Sequence, residues 1–295
     1  MTTKRMSMVA VLCLGTALTL EAQQNRQPTP EEQAQRQREL EEQLAAPRPI
    51  DALDSVWIEE LTWMEVRDAL AAGTTTAIIS TGGIEQNGPY LATGKHNYVL
   101  MGACEGIARE LGNALCTPII KLVPEGNLEE KSGHMRYPGT LSLRQTTFQM
   151  VLEDTSTSLR AHGFTDIILI GDSGGNQTGL RETARVLNAK WTATRVHYIA
   201  EFYDYASVQK YMHEELGIVP PISEGLHDDF YITSMMMIED PTTVRYDQRV
   251  KAGKATIDGL SIVPKEETIE TGKKLMRFRV EQTVKAIRAS MAKAH

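Results

Sequence analysis

The sequence predicts an α/β protein of three layers, with a mainly parallel sheet between two layers of helices. Three observations predict it. Short β-branched or apolar runs alternate with longer segments of helical spacing, which is typical of βαβ units. DIILI at 166–170 is a continuous apolar run, as expected of a strand buried on both faces. Polar, glycine-rich loops follow two of the strands, at 81–96 and 171–176, where ligands bind in such folds.

Each element follows from a local signal. Thr62 opens a capping-box pattern with Glu65, which predicts a helix that Gly73 ends. Strands are predicted at 74–80, 116–123, 166–170 and 194–202. Helices are predicted at 62–72, 97–111, 144–161, 177–190 and 266–293.

The first 54 residues are expected to lie outside this domain. Two basic residues precede an uncharged, mostly apolar run at 6–20 that is short for a membrane span, so residues 1–22 are interpreted as a signal peptide. Residues 23–54 begin with a stretch dominated by Gln, Glu, Arg and Pro, which predicts a linker or a solvated helix. The folded domain is therefore expected at 55–295, in a periplasmic or secreted protein.

Composition indicates which classes of binding partner to expect. A net charge of −7 lacks the basic footprint of nucleic-acid binding, so neither nucleic acid nor, after signal removal, a membrane is expected as a partner. An exported chain would keep Cys104 and Cys116. Two interpretations of this pair stay open: one disulfide bridge, or two small buried apolar side chains.

The stretch GDSGG at 171–175 is the string that surrounds the nucleophilic serine of trypsin-like proteases. Such a protease is an all-β double barrel, whereas this chain is predicted to alternate strands with helices. A serine hydrolase of α/β architecture, with Ser173 as nucleophile and His227 as its base, stays as one alternative function.

Four blocks of the sequence resemble the creatininase (creatinine amidohydrolase) family. STGGIEQNGPYLATGKH at 80–96 resembles P-V-G-S-x-E-Q-H-G-P-H-L-P-x-x-T-D, and HGFTDIILIGDSGGN at 162–176 resembles HGF-x-x-I-x-x-x-NGHGGN. HMRYPGTLSL at 134–143 and HDDFYITSMMMIEDPTTV at 227–244 are similar to two further family blocks. The resemblance implies a creatininase-like fold, a homo-oligomer such as a hexamer, and an amidohydrolase with divalent ions, zinc or manganese.

Of the metal-ligand positions that the resemblance implies, one has the family's residue in this sequence, Glu85. The other family ligand positions, in chain order, are taken here by Asn87, His96, Ser173, and Gly175 or Ile232. Because His96 replaces an aspartate and Asp172 adjoins the position of a lost histidine, a carboxylate and an imidazole have roughly exchanged places. Glu85, His96 and Asp172 are therefore predicted to hold one metal and to leave a position open for water.

The block at 227–244 supplies a candidate acid–base residue. His227 matches a catalytic histidine of the family and is expected to move protons. Asp228 is a candidate metal ligand or a partner that orients the imidazole. Acidic residues at 228 and 229 also favour the start of a helix without any metal.

The loop at 173–176 is a candidate binding nest for substrate. Gly174 and Gly175 are expected to adopt backbone angles that other residues avoid, and Asn176 is expected to cap the following helix. Asn87, in the first loop, is a further candidate for substrate binding.

Two functions from different classes follow. The leading prediction is an exported metal-dependent hydrolase that cleaves a carbon–nitrogen bond, an amide or cyclic amide, in a small molecule through a metal-activated water. The alternative is a non-catalytic small-ligand-binding protein whose metal centre has been dismantled, which the residues at 87, 173, 175 and 232 favour.

Overall fold

The computed structural model describes residues 27–293. The chain divides between Asp51 and Ala52 into two units. The signal peptide predicted at 1–22 lies outside the described residues. Within 27–293, every helix is too short or too polar to cross a membrane.

The first unit contains one helix, α1, among its described residues. Helix α1 spans Pro30–Ala45 and begins with a capping box between Thr29 and Glu32. Its side chains are exposed or partly exposed. Of the two interpretations of this segment, a solvated helix is the one present at these residues.

The second unit is built on a four-stranded parallel sheet in the order β2–β1–β3–β4. The strands are β1 Thr76–Thr81, β2 Ala114–Cys116, β3 Asp166–Gly171 and β4 Arg195–Tyr198. β1 and β3 pair along their whole length. The loops that follow these two strands therefore leave the sheet side by side, at the same edge.

Helices cover both faces of the sheet. They are α2 Trp63–Ala71, α3 Lys95–Leu111, α4 Gln145–Ala161, α5 Asn176–Lys190, α6 Tyr205–Glu214, α7 Phe230–Glu239, α8 Tyr246–Lys251 and α9 Lys265–Lys293, and a hairpin of β5 Thr256–Ile257 and β6 Leu260–Ser261 lies apart from the main sheet. Ile78 and Ile168 pack against α3, α7 and α9, whereas Ile79 and Leu169 pack against α4 and α5. This alternation along the strands confirms the predicted α/β class.

Two strands differ from the prediction: β2 shares only Cys116 with the predicted 116–123, and β4 is shorter than the predicted 194–202. β2 ends at Cys116, and the chain beyond it makes isolated bridges, such as Thr81 with Ile120. Pro118 lacks the N–H needed to continue a strand ladder. β4 ends at Tyr198, before a 3₁₀ turn. The segment 117–143 consequently meets β1 through isolated bridges instead of a continuous ladder, and it contributes side chains to the site described below.

Cys104 of α3 and Cys116 of β2 form a disulfide, with their Cα atoms 6.2 Å apart. Of the two interpretations that the sequence left open, the structure contains the bridge. The bond ties the helix that begins beside the site to an edge strand of the sheet.

Candidate functional site

A cavity of about 610 Å³ lies beyond the carboxyl ends of β1 and β3. Its wall is formed by the loops after β1, β2 and β3 and by the beginnings of α3, α6 and α7. Charged and aromatic side chains dominate this wall, among them Glu85, Glu125, His134, Tyr203 and His227. This is the position where the strand pattern predicts ligands to bind.

His96 lies between two carboxylates at the base of the cavity. Its Nε2 is 2.7 Å from Glu85 Oε1, and its Nδ1 is 2.8 Å from Asp172 Oδ2. Burial disfavours the imidazolium, but the hydrogen bonds to Asp172 and Glu85 outweigh it and raise the pKa of His96. Each ring nitrogen thus faces a carboxylate oxygen at hydrogen-bonding distance and is engaged there in this arrangement.

Asp172 is fully buried and is held by three donors. They are the Arg279 guanidinium, the Tyr205 hydroxyl at 2.6 Å, and His96. Burial opposes ionisation, but the charge of Arg279 and these hydrogen bonds lower the pKa of Asp172. Glu85, His96, Asp172 and Arg279 thus form a buried line of alternating charge, which we call the charge row.

Glu85 ends the charge row at the cavity and faces three further cationic or imidazole groups. Its Oε1 is 3.7 Å from Lys95 Nζ and 3.6 Å from His227 Nδ1, and its Oε2 is 3.2 Å from His134 Nε2. Burial opposes ionisation of Glu85, but the hydrogen bond and charge of His96 and the charge of Lys95 hold its pKa well below the usual range. Glu85 is therefore an ionised carboxylate at the wall of the cavity.

Glu85, His134 and His227 can hold a metal ion. One ligand atom from each lies within 4.8 Å of the others. The two imidazole rings are stacked, with centroids 4.8 Å apart, and both are partly exposed. Two imidazoles and a carboxylate form a common donor set for catalytic zinc, and manganese accepts the same donor atoms. The residues present therefore fit a divalent ion.

This donor set differs from the predicted one, which shares only Glu85 with it. His96 and Asp172 lie beside Glu85 as predicted, but they are engaged with each other in the charge row. Asp228 is buried beside Arg249, with 3.8 Å between Asp228 Oδ2 and Arg249 Nη1. A positive φ of 65° at His227 turns the chain, so that His227 lines the cavity and Asp228 is buried away from it.

The role of His227 in moving protons stays a prediction, and its surroundings bear on its charge. Burial, and then the charge of Lys95, lower the pKa of His227, which favours the neutral ring that either a metal ligand or a base needs. Lys95 Nζ also donates a hydrogen bond to the His227 carbonyl, at 3.1 Å, and so holds this strained residue in place.

Ser173 lines the cavity, but it is not paired with a base. Its hydroxyl donates to Glu125 Oε2 at 3.0 Å, and His227 Nδ1 lies 3.2 Å from the Gln86 carbonyl oxygen. A serine nucleophile needs a neighbouring base that accepts its proton. The Ser173–His227 pair that a serine hydrolase would use is therefore absent from the described structure.

Glu125 is a site residue that the sequence did not single out. Burial, and then the charge of Glu85, raise its pKa to about 8. Its Oε1 is buried and accepts no hydrogen bond from an N–H or hydroxyl group within residues 27–293, and its carboxyl contacts that of Glu85. The residue follows the shortened strand β2, in a stretch with two more glutamates at 129 and 130, and no motif or spacing distinguishes it from them.

Gly174 and Gly175 line the cavity, but the expected reason is wrong for both, because neither has a positive φ. The φ of −63° and ψ of −21° at Gly175 are ordinary helical values. A side chain is excluded there by space, because a Cβ on Gly175 would lie 1.8 Å from the carbonyl oxygen of Pro124.

Asn87 and Asn176 shape the loops instead of facing the cavity. Asn176 is fully buried, and its amide donates to the carbonyls of Thr81 and Gly82. It is the first residue of α5 and makes no side-chain cap, so the predicted capping role is wrong. Asn87 is also buried and donates to the Glu85 carbonyl. These bonds hold the two strand-end loops that carry Glu85 and Asp172.

Comparison with known proteins shows one family. Residues 59–287 match the creatininase family, described as creatinine amidohydrolase. The creatinine amidohydrolase of Pseudomonas putida is 24% identical over 217 residues, which cover 71% of this chain and 82% of that protein.

Solved structures show the same fold. A manganese form of creatininase superposes with a TM-score of 0.60 at 23% identity, covering 80% of this chain and 98% of that one. A mutant creatininase of the Zn-Zn type superposes with a TM-score of 0.59 at 22% identity and the same coverage.

Proposed function

The chain belongs to the creatininase family, and on that premise we propose that it is a metal-dependent hydrolase of a carbon–nitrogen bond in a small amide or cyclic amide. The observation that carries the proposal is the convergence of Glu85, His134 and His227 on one cavity. Manganese and zinc forms among the structural relatives support these two ions as candidates.

The residues of the site have distinct tasks in this proposal. Glu85, His134 and His227 would hold the ion, which when bound lowers the pKa of water and polarises a substrate carbonyl. His96 fixes the orientation of the Glu85 carboxylate through the charge row. Lys95 fixes the backbone of His227. Preorganisation of this kind is what metal ligands require of the residues behind them.

His227 has two possible tasks, and one variant separates them. A neutral imidazole can donate to the ion, or it can take a proton from water. His227→Ala should lose the metal in the first case, whereas in the second it should keep the metal and lose only activity.

Elemental analysis of untagged protein tests the proposal. We expect a stoichiometric divalent ion in the wild type and its loss in Glu85→Gln and His134→Ala. His162→Ala, at an exposed histidine that ends α4, is the matched control and should keep the ion. A folded, metal-free wild type that also takes up neither zinc nor manganese would overturn the proposal.

One observation favours a second candidate, a non-catalytic protein that binds a small ligand. Lys95 and His96 place two positive charges against Glu85, which offsets the carboxylate without any metal. This candidate predicts that a cyclic amide raises the melting temperature of the metal-free protein but is recovered unhydrolysed.

We also propose that the protein is exported and forms a homo-oligomer. The apolar run at 6–20 and the Cys104–Cys116 bridge support export, because disulfides persist in oxidising compartments. Cell fractionation with determination of the mature amino terminus tests this, and a reduced, unprocessed cytosolic protein would contradict it. Light scattering tests the oligomer, and a monomer would contradict it.

A further inference from the structure

We infer that Glu125 is the second carboxylate of the candidate metal site and that it is supplied by a loop other than the one expected. By resemblance, the second carboxylate of the family falls at position 175 or 232, and this chain has Gly175 and Ile232 there. The inference rests on the proposed function, because it concerns a residue that would bind the same ion.

The structure reserves space for the Glu125 carboxyl. Pro124 fills the volume that a side chain at position 175 would occupy, since a Cβ there would lie 1.8 Å from its carbonyl oxygen. A Cβ on Gly83 would lie 2.2 Å from Glu125 Oε1. Two glycines in the two strand-end loops therefore make room for Pro124 and Glu125 to enter from the segment 117–143.

The orientation of the carboxyl leaves one oxygen available to an ion. Oε2 accepts the hydrogen bond of Ser173, which stands where the family has a histidine. Oε1 is buried, lacks a donor among the described residues, and belongs to a residue that lines the cavity with Glu85 and His134. The Glu125 carboxyl also contacts that of Glu85. Two buried carboxylates in contact repel each other, and a cation coordinated by both removes that repulsion.

Titration of the metal-free full-length protein with Mn²⁺, followed by calorimetry, tests the inference. We expect Glu125→Gln to bind Mn²⁺ at least about tenfold more weakly than wild type. Glu130→Gln is the matched control, because it changes an exposed carboxylate of the same segment and should leave the affinity unchanged. Urea unfolding of both variants establishes that each is folded.

The outcomes separate the inference from the proposed function. If the wild type binds no Mn²⁺, both the inference and the proposed function are overturned. Wild-type binding that is matched within about twofold by Glu125→Gln would overturn the inference and leave the proposed function standing. A Co²⁺ form provides a direct readout: its visible absorption should change in Glu125→Gln, and an unchanged spectrum would also overturn direct coordination.

Discussion

Replacing Asp172 by asparagine tests the charge row that supports Glu85. In the wild type, Oδ1 accepts from Arg279 and Tyr205, and Oδ2 accepts from His96. Asparagine keeps one acceptor oxygen and turns N–H donors toward groups that are themselves donors. It also leaves the Arg279 guanidinium buried without its counter-ion.

The expected loss follows from this arrangement. Removing one partner of a buried ion pair destabilises a protein by about 3–5 kcal/mol, because the remaining charge stays desolvated. We therefore expect Asp172→Asn to lower the free energy of unfolding by an amount in this range, about 3–5 kcal/mol. Arg279→Met should cost a similar amount, and the double variant clearly less than the sum, since both changes remove the same pair.

Equilibrium unfolding in urea at pH 7 with a chelator present measures these free energies. Glu182→Gln is the control: its carboxylate pairs with Arg185 on the exposed face of α5, and no measurable change is expected. A loss below about 1 kcal/mol for Asp172→Asn, or fully additive effects of the two single changes, would refute the charge row as a stabilising unit.

Three further predictions concern stability. The pKa of Glu125 is raised from its ordinary 4.5 to about 8, so between these values the fold retains a proton that the unfolded chain has lost. Unfolding free energy of the metal-free protein should then fall with rising pH over this window, by up to about 1.4 kcal/mol per unit, and Glu125→Gln should flatten the urea-derived profile. Gly175→Ala should lower the free energy of unfolding in urea by about 1–3 kcal/mol and weaken Mn²⁺ binding, because the Cβ of the alanine displaces Pro124. Joint replacement of Cys104 and Cys116 by alanine should lower the free energy of unfolding by about 2–4 kcal/mol in the same assay. An unchanged urea midpoint would contradict a bridge in solution.

The layers of the fold could be predicted from the sequence because their signals are local. DIILI is buried on both faces, as its uninterrupted apolar run indicates. The capping box of Thr62 forms with Glu65 as predicted. Met235 to Met237, part of a continuous apolar run, are core residues of α7.

The site could be predicted only in part, because its pairings are not local. Glu85, His96 and Asp172 lie together as the two strand-end loops indicated. Their chemistry depends on Arg279, a residue of the last helix whose periodicity shows only that one face is buried. The same holds for Glu125, since its role depends on how closely its neighbour Pro124 approaches Gly175.

Arg279 also makes the candidate site depend on the last part of the chain to be synthesised. It is separated from Asp172 by 107 positions, so the chain emerging from a ribosome presents the aspartate long before its guanidinium partner exists. Until α9 is present, burial of Asp172 is opposed by desolvation without the compensating charge of Arg279. The charge row is therefore complete only once the last helix has packed against the sheet.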